Sequence, residues 1–114
     1  MFRICALLVL VASGLVACSS SHAATPPAAP VANQGAAVSL KNIAFTPRTV
    51  TIQTGQAVVW TWHDGSVPHN VTFANFHSVI QTAGTYVHTF PTAGTFQYSC
   101  TIHSGMTGTV IVTS

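Results

Sequence analysis

From Val38 to the C-terminus, apolar and polar residues alternate in short runs. Val50 and Ile52 alternate with Thr49 and Thr51, and Val58, Trp60 and Trp62 with Val59, Thr61 and His63. Val71 and Phe73 alternate with Asn70 and Thr72, Tyr86, His88 and Phe90 with Val87 and Thr89, and Phe96, Tyr98 and Cys100 with Gln97 and Ser99. Val110 and Val112 close the chain. A period of two in β-branched and aromatic residues predicts strands, because successive side chains of a strand point to opposite faces. Thr54-Gly55, Asp64-Gly65, Ala83-Gly84 and Ala93-Gly94 are the turn signals between them. No stretch after Val38 carries a helical period. The expected fold is therefore all-β, a two-sheet β-sandwich of about seven strands.

The N-terminus reads differently. Met1-Phe2-Arg3 precedes an almost unbroken apolar run from Ile4 to Val16. That run is short for a membrane-spanning helix, which needs about 20 residues, and suits the apolar region of a signal peptide. It ends in Leu15-Val16-Ala17-Cys18, which resembles the lipobox of bacterial lipoproteins. The resemblance implies cleavage before Cys18 and lipid on its thiol. Ser19 to Ala37 is rich in Ser, Ala and Pro and has no charge, so it is expected to form a semi-rigid tether. The expected organisation is a signal peptide over 1–17, a lipidated cysteine and tether over 18–37, and one domain over 38–114. The protein is then exported, periplasmic or on the cell surface, held to a membrane by its lipid alone.

Composition narrows the chemistry. Charged residues make up 4% of the 114 residues: Arg3, Lys41, Arg48 and Asp64. No basic stripe exists for a nucleic acid to read. Asp64 is the sole side-chain carboxylate, which excludes two-carboxylate catalysis and an acidic calcium or magnesium cage. Of the three cysteines, Cys5 leaves with the signal and Cys18 carries lipid. Cys100 is left without a disulfide partner in an oxidising compartment, so it is a reactive thiol or a metal ligand.

Cys100-Thr101-Ile102-His103-Ser104-Gly105-Met106 sets a thiol, an imidazole and a thioether on one short loop. These soft donors select copper over magnesium or calcium. A mononuclear site of the blue type needs one more imidazole, and His69 in Val67-Pro68-His69-Asn70 offers it. A solvated role fits His22, His63 and His77 better than ligation, and His88 reads as a strand residue. Trp60 and Trp62 read as core.

Pro68-His69-Asn70-Val71-Thr72-Phe73, taken with Tyr98-Ser99-Cys100-Thr101-Ile102-His103-Ser104-Gly105-Met106-Thr107-Gly108, resembles the cupredoxins. Within them it looks most like the plastocyanin and amicyanin group, and the Cys-to-Met spacing resembles amicyanin. The resemblance implies a Greek-key sandwich holding one type 1 copper. Its ligands would be His69, Cys100, His103 and, weakly, Met106. It implies that Asn70 hydrogen-bonds to the backbone beside Cys100, and that electrons pass through a near-surface His103 ringed by Ile102, Gly105 and Phe76. The expected function is a monomeric electron carrier, not an enzyme. Its donor and acceptor would be redox proteins such as a c-type cytochrome or a dehydrogenase, met through apolar contact. The alternative is a copper-binding or delivery protein without a redox role. A cysteine hydrolase would have only Asp64 to orient its histidine.

The sequence departs from the amicyanin pattern where Ile102 and Ser104, not prolines, flank His103. Without that stiffening, His103 is predicted to protonate and leave Cu(I) in mild acid. Voltammetry across pH should then show the reduction potential rising as pH falls; a potential flat into the acid range would exclude this.

Overall fold

In the computed structural model, residues 31–114 are described; the expected signal peptide, the Cys18 lipidation site and most of the tether lie outside them. Seven strands run through these residues. They are β1 (Gln34–Lys41), β2 (Ala44–Thr46), β3 (Thr49–Gln53), β4 (Ala57–Trp62), β5 (Thr85–Thr89), β6 (Gly94–Ser99) and β7 (Thr107–Thr113). One sheet has the order β2-β1-β4-β5 and the other β3-β7-β6. The chain crosses between the sheets three times, and in doing so makes two parallel pairings, β1 with β4 and β3 with β7.

Between the sheets the apolar positions read from the sequence form one core. Val38, Leu40, Val58, Trp60 and Trp62 from the first sheet meet Val50, Ile52, Tyr98, Val110 and Val112 from the second. Trp60 is fully buried and packs edge-on against Tyr98 and Phe73, with ring centroids 5.5 and 5.8 Å away. Edge-to-face contact sets the positive rim of one ring on the negative face of another, which adds to the gain from burial. β4 is buried at five of its six positions, as a strand inside the sheet requires.

Three features differ from the sequence reading. The first strand begins before Val38, because β1 already pairs with β4 at Gln34. Parallel pairing with an interior strand gives these small residues a hydrogen-bonded partner that their composition did not announce. Next, Asn70–Phe73 is not a strand. Val71 and Phe73 are buried as the alternation demands, but the segment's backbone bonds go to three different neighbours. Thr72 pairs with Ser99, Val71 with Ser78, and Phe73 donates to the Phe76 carbonyl. Finally, β6 stops at Ser99, one residue before Cys100, whose N–H turns to the Met106 carbonyl at 2.9 Å.

Gly108 lies opposite Tyr98 across β6 and β7. A Cβ at Gly108 would run into the Tyr98 ring, so the absent side chain is what lets the tyrosine lie over the strand. Among the described residues the buried Tyr98 hydroxyl has no hydrogen-bond partner. Burial pushes its pKa up from 10.0 to about 12, and the neighbouring Trp60 indole offsets this a little.

That shift has a sign. The native protein keeps the phenol proton at a pH where the unfolded chain has lost it, so rising pH favours unfolding. The contribution, on the order of 2 kcal/mol, is complete below pH 10 and gone above about 12. Tyr98→Phe should therefore flatten the loss of stability across that window while changing neutral-pH stability by about 1 kcal/mol or less, as denaturant melts at a series of pH values will report.

Candidate metal centre

The two connections at one pole of the sandwich carry the chemistry. Residues 63–84 link β4 to β5 and hold His69; residues 100–106 link β6 to β7 and hold Cys100, His103 and Met106. Within the ligand loop, Gly105 takes a φ of +79°, the left-handed conformation glycine adopts without strain. This lets the chain reverse so that the Met106 N–H reaches the His103 carbonyl at 3.3 Å and its carbonyl accepts from Cys100.

Three donor atoms from these loops converge. His69 Nδ1 lies 3.2 Å from His103 Nδ1 and 3.9 Å from Cys100 Sγ, and His103 Nδ1 lies 3.6 Å from Cys100 Sγ. His69 is fully buried, Cys100 is 4% exposed, and His103 is half-buried. Met106 is buried in the same core cluster as Cys100. Among the described residues these are the three His, Cys or acidic side chains whose ligand atoms gather closely enough to hold one ion.

The spacing fits a metal. With bonds of about 2.0 Å to nitrogen and 2.3 Å to sulfur, donors spread evenly in a plane stand about 3.5 Å apart for two nitrogens and about 3.7 Å for nitrogen and sulfur. The two nitrogen–sulfur separations, 3.6 and 3.9 Å, bracket the second value, and the nitrogen–nitrogen separation, 3.2 Å, is a little shorter than the first. Two imidazoles and a thiolate, with a thioether in the same loop, form the donor set that favours copper.

Neighbouring groups fix the ligands. Asn70 ties the two loops together: its Oδ1 accepts from the Thr101 N–H at 2.8 Å and its Nδ2 donates to Thr101 Oγ1 at 2.8 Å. The Trp62 indole donates to the His69 carbonyl at 3.1 Å. His69 also exchanges both backbone bonds with Gln81, each 3.0 Å long. Behind the ring, His69 Nε2 donates to Asp64 Oδ2 at 2.8 Å. That carboxylate also accepts the backbone N–H groups of Ile43 and Asn42. The Ile43 hydrogen bond, ahead of the His69 contact, holds the Asp64 pKa below its ordinary value.

The sequence reading placed Asp64 in a turn and gave it no part in the site. The available signal was its rarity: the only side-chain carboxylate sits five residues before a candidate ligand. Phe76, expected beside His103, is occupied elsewhere. Its ring stacks on His88 at 3.6 Å and on Phe73 at 4.4 Å, where it closes the core. Ile43 is the apolar side chain that the sequence reading missed: 49% exposed, it lines a surface depression with Gly105 and Met106. Ile102 is 40% exposed next to His103. His63 and His77 are both exposed.

Comparison with known proteins gives consistent findings. A family profile described as a cupredoxin-like domain matches residues 6–112. An amicyanin of Paracoccus versutus is 35% identical over 94 residues, covering 75% of this chain and 70% of that protein. A chloroplastic plastocyanin of Tetradesmus obliquus is 34% identical over 86 residues, covering 61% of this chain. The match spans 59% of that plastocyanin's length. A purple cupredoxin from Nitrosopumilus maritimus superposes with a TM-score of 0.64 at 27% identity, covering 68% of this chain and 99% of that one.

Asn70→Ala should break both bonds between the ligand loops and strand a Thr101 N–H. A loss of about 1–3 kcal/mol in the metal-free protein is expected from chemical denaturation, together with a weaker grip on copper.

Proposed function

This chain belongs to the cupredoxin-like family, and on that premise we propose that it is a small blue-copper electron carrier. One observation carries the reading: two imidazole nitrogens and a thiol, from loops far apart in sequence, already stand at ligand spacing, two of the three side chains buried. His69, Cys100 and His103 would hold the ion, with Met106 as a weak fourth ligand. Copper bound there supplies a one-electron couple between Cu(I) and Cu(II).

The protein's part is to keep its donors still. Asn70, Trp62, Gln81 and Asp64 hold His69 and the Cys100 loop through hydrogen bonds that need no metal. Rigid donors make the two oxidation states nearly alike in shape, so little of the protein rearranges when an electron moves. His69 and Cys100 are shut away from solvent, which supports an electron carrier over a copper-delivery protein, whose donors a recipient must reach. The half-buried His103 is the ligand nearest the outside and the route for electrons. Redox proteins would dock on the apolar rim of Ile102 and Ile43. With Lys41, Arg48 and Asp64 the only charged side chains beyond Arg3, such docking is steered weakly by charge. We place the mature protein outside the cytoplasm, on a lipid at Cys18, and assign it no reaction of its own.

Adding Cu(II) to the purified metal-free protein tests the reading. An intense visible thiolate-to-copper band with reversible one-electron reduction is expected. Cys100→Ser should abolish the band and keep the far-ultraviolet dichroism of the fold. A colourless complex that yields its copper at once to a chelator would favour metal delivery instead.

A further inference from the structure

The hairpin that joins β1 to β2 has two linking residues, Asn42 and Ile43, with φ of +54° and +55°. This is the backbone of a type I′ turn, whose twist matches that of the flanking strands. Asparagine suits it; isoleucine does not, because a β-branched side chain in the left-handed region clashes with its own backbone. Such strain persists only where the surroundings over-determine the conformation. Here the flanking strands pair across the turn from Lys41 and Ala44 outward, and one side chain holds the turn's own amides. Asp64 Oδ1 accepts the Asn42 N–H at 3.0 Å, and Oδ2 accepts the Ile43 N–H at 3.0 Å. Oδ2 also accepts His69 Nε2–H at 2.8 Å. The chain's only side-chain carboxylate thus grips a strained turn and the rear nitrogen of a candidate ligand together.

We propose that Asp64 is a positioning residue that latches the β1–β2 turn to His69 and holds His69 Nδ1 toward the Cys100 sulfur before any metal arrives. This rests on reading the centre as a copper site. An imidazole that donates through Nε2 keeps its lone pair on Nδ1, so the latch selects the tautomer that can ligate. A carboxylate at the rear also makes the ring a stronger donor, which favours the more highly charged state of a bound metal. Among the described residues the other histidine of the cluster has no such support: the polar contacts of the His103 ring are with His69 and Cys100. The latch has a second effect, at the surface. By fixing the turn it displays Ile43 beside Gly105 and Met106, so one carboxylate sets both the ligand and part of the apolar rim.

Nitrogen-15 spectra of the metal-free protein at mildly alkaline pH test this directly. In the wild type His69 is expected as a single Nε2–H tautomer, with the Asn42 and Ile43 amides protected from exchange. In Asp64→Asn and Asp64→Ser the tautomers should mix, and both amides should exchange at least tenfold faster. Cu(II) affinity should fall by about ten- to a hundredfold, and the reduction potential should rise. Asp64→Glu should recover part of each loss. A wild-type His69 protonated on Nδ1 would overturn the proposal, as would Asn and Ser variants with unchanged tautomer, exchange and affinity. Should a variant fail to fold, the wild-type tautomer still decides. Should copper give no blue band, the proposed function falls, while the metal-free spectra judge the latch separately.

Discussion

His69 and Cys100 lie thirty-one residues apart and meet because the packing of the two sheets leaves the connections that follow β4 and β6 no other place to go. β4 is held in the first sheet by β1 and β5, and β6 in the second by β7. Their facing sides are pressed together through Trp60, Tyr98, Phe73 and Phe45. A core packed this tightly transmits position, because its side chains cannot shift without opening voids or clashes. The donor atoms therefore inherit their spacing from rings that never touch a metal. Bringing three polar donors into such a setting is costly unless each finds a partner, and here the partners are one another and Asp64.

The site is not supported evenly. His69 is held at its backbone by Gln81 and Trp62 and at its rear nitrogen by Asp64. Cys100 and Thr101 are held by Met106 and Asn70. His103 sits half-exposed on a short loop whose tie to Met106 is the longer bond of the pair. One side of the centre is thus anchored in the core, and the other lies on the loop that carries the exposed Ile102. Two of the clustered side chains are closed off from solvent, and the third, His103, is half-buried. In the loop from 100 to 106, Gly105 takes the left-handed backbone that reverses the chain. Reversal there is needed to return Met106 to the core.

The aromatic residues serve as scaffold on the flank away from the donors. Phe76 caps the open edge of the sandwich by stacking between Phe73 and His88. His88 is thereby half-buried, and its pKa is lowered because the enclosing rings disfavour a charge. It acts as a flat packing element, in keeping with its place between Tyr86 and Phe90 in the alternation.

Much of this was legible from residue order alone. The period-two runs gave the all-β class and the core residues, and Cys100, His103 and Met106 gave the soft donor set, because these are local patterns of hydropathy and chemistry. His69 was legible only as a histidine in need of partners. What the tertiary structure decided is everything that depends on separation in space. It put β1 in place at Gln34, where pairing with β4 outweighs a weak local preference. It divided the backbone bonds of Asn70–Phe73 among three neighbours, which an alternating pattern cannot foretell. It moved Phe76 into the core edge, put Ile43 at the rim, and set Asp64 against His69. A hydrogen bond acts over about 3 Å of space and is indifferent to distance along the chain, so no reading of neighbours in sequence shows which groups it will join.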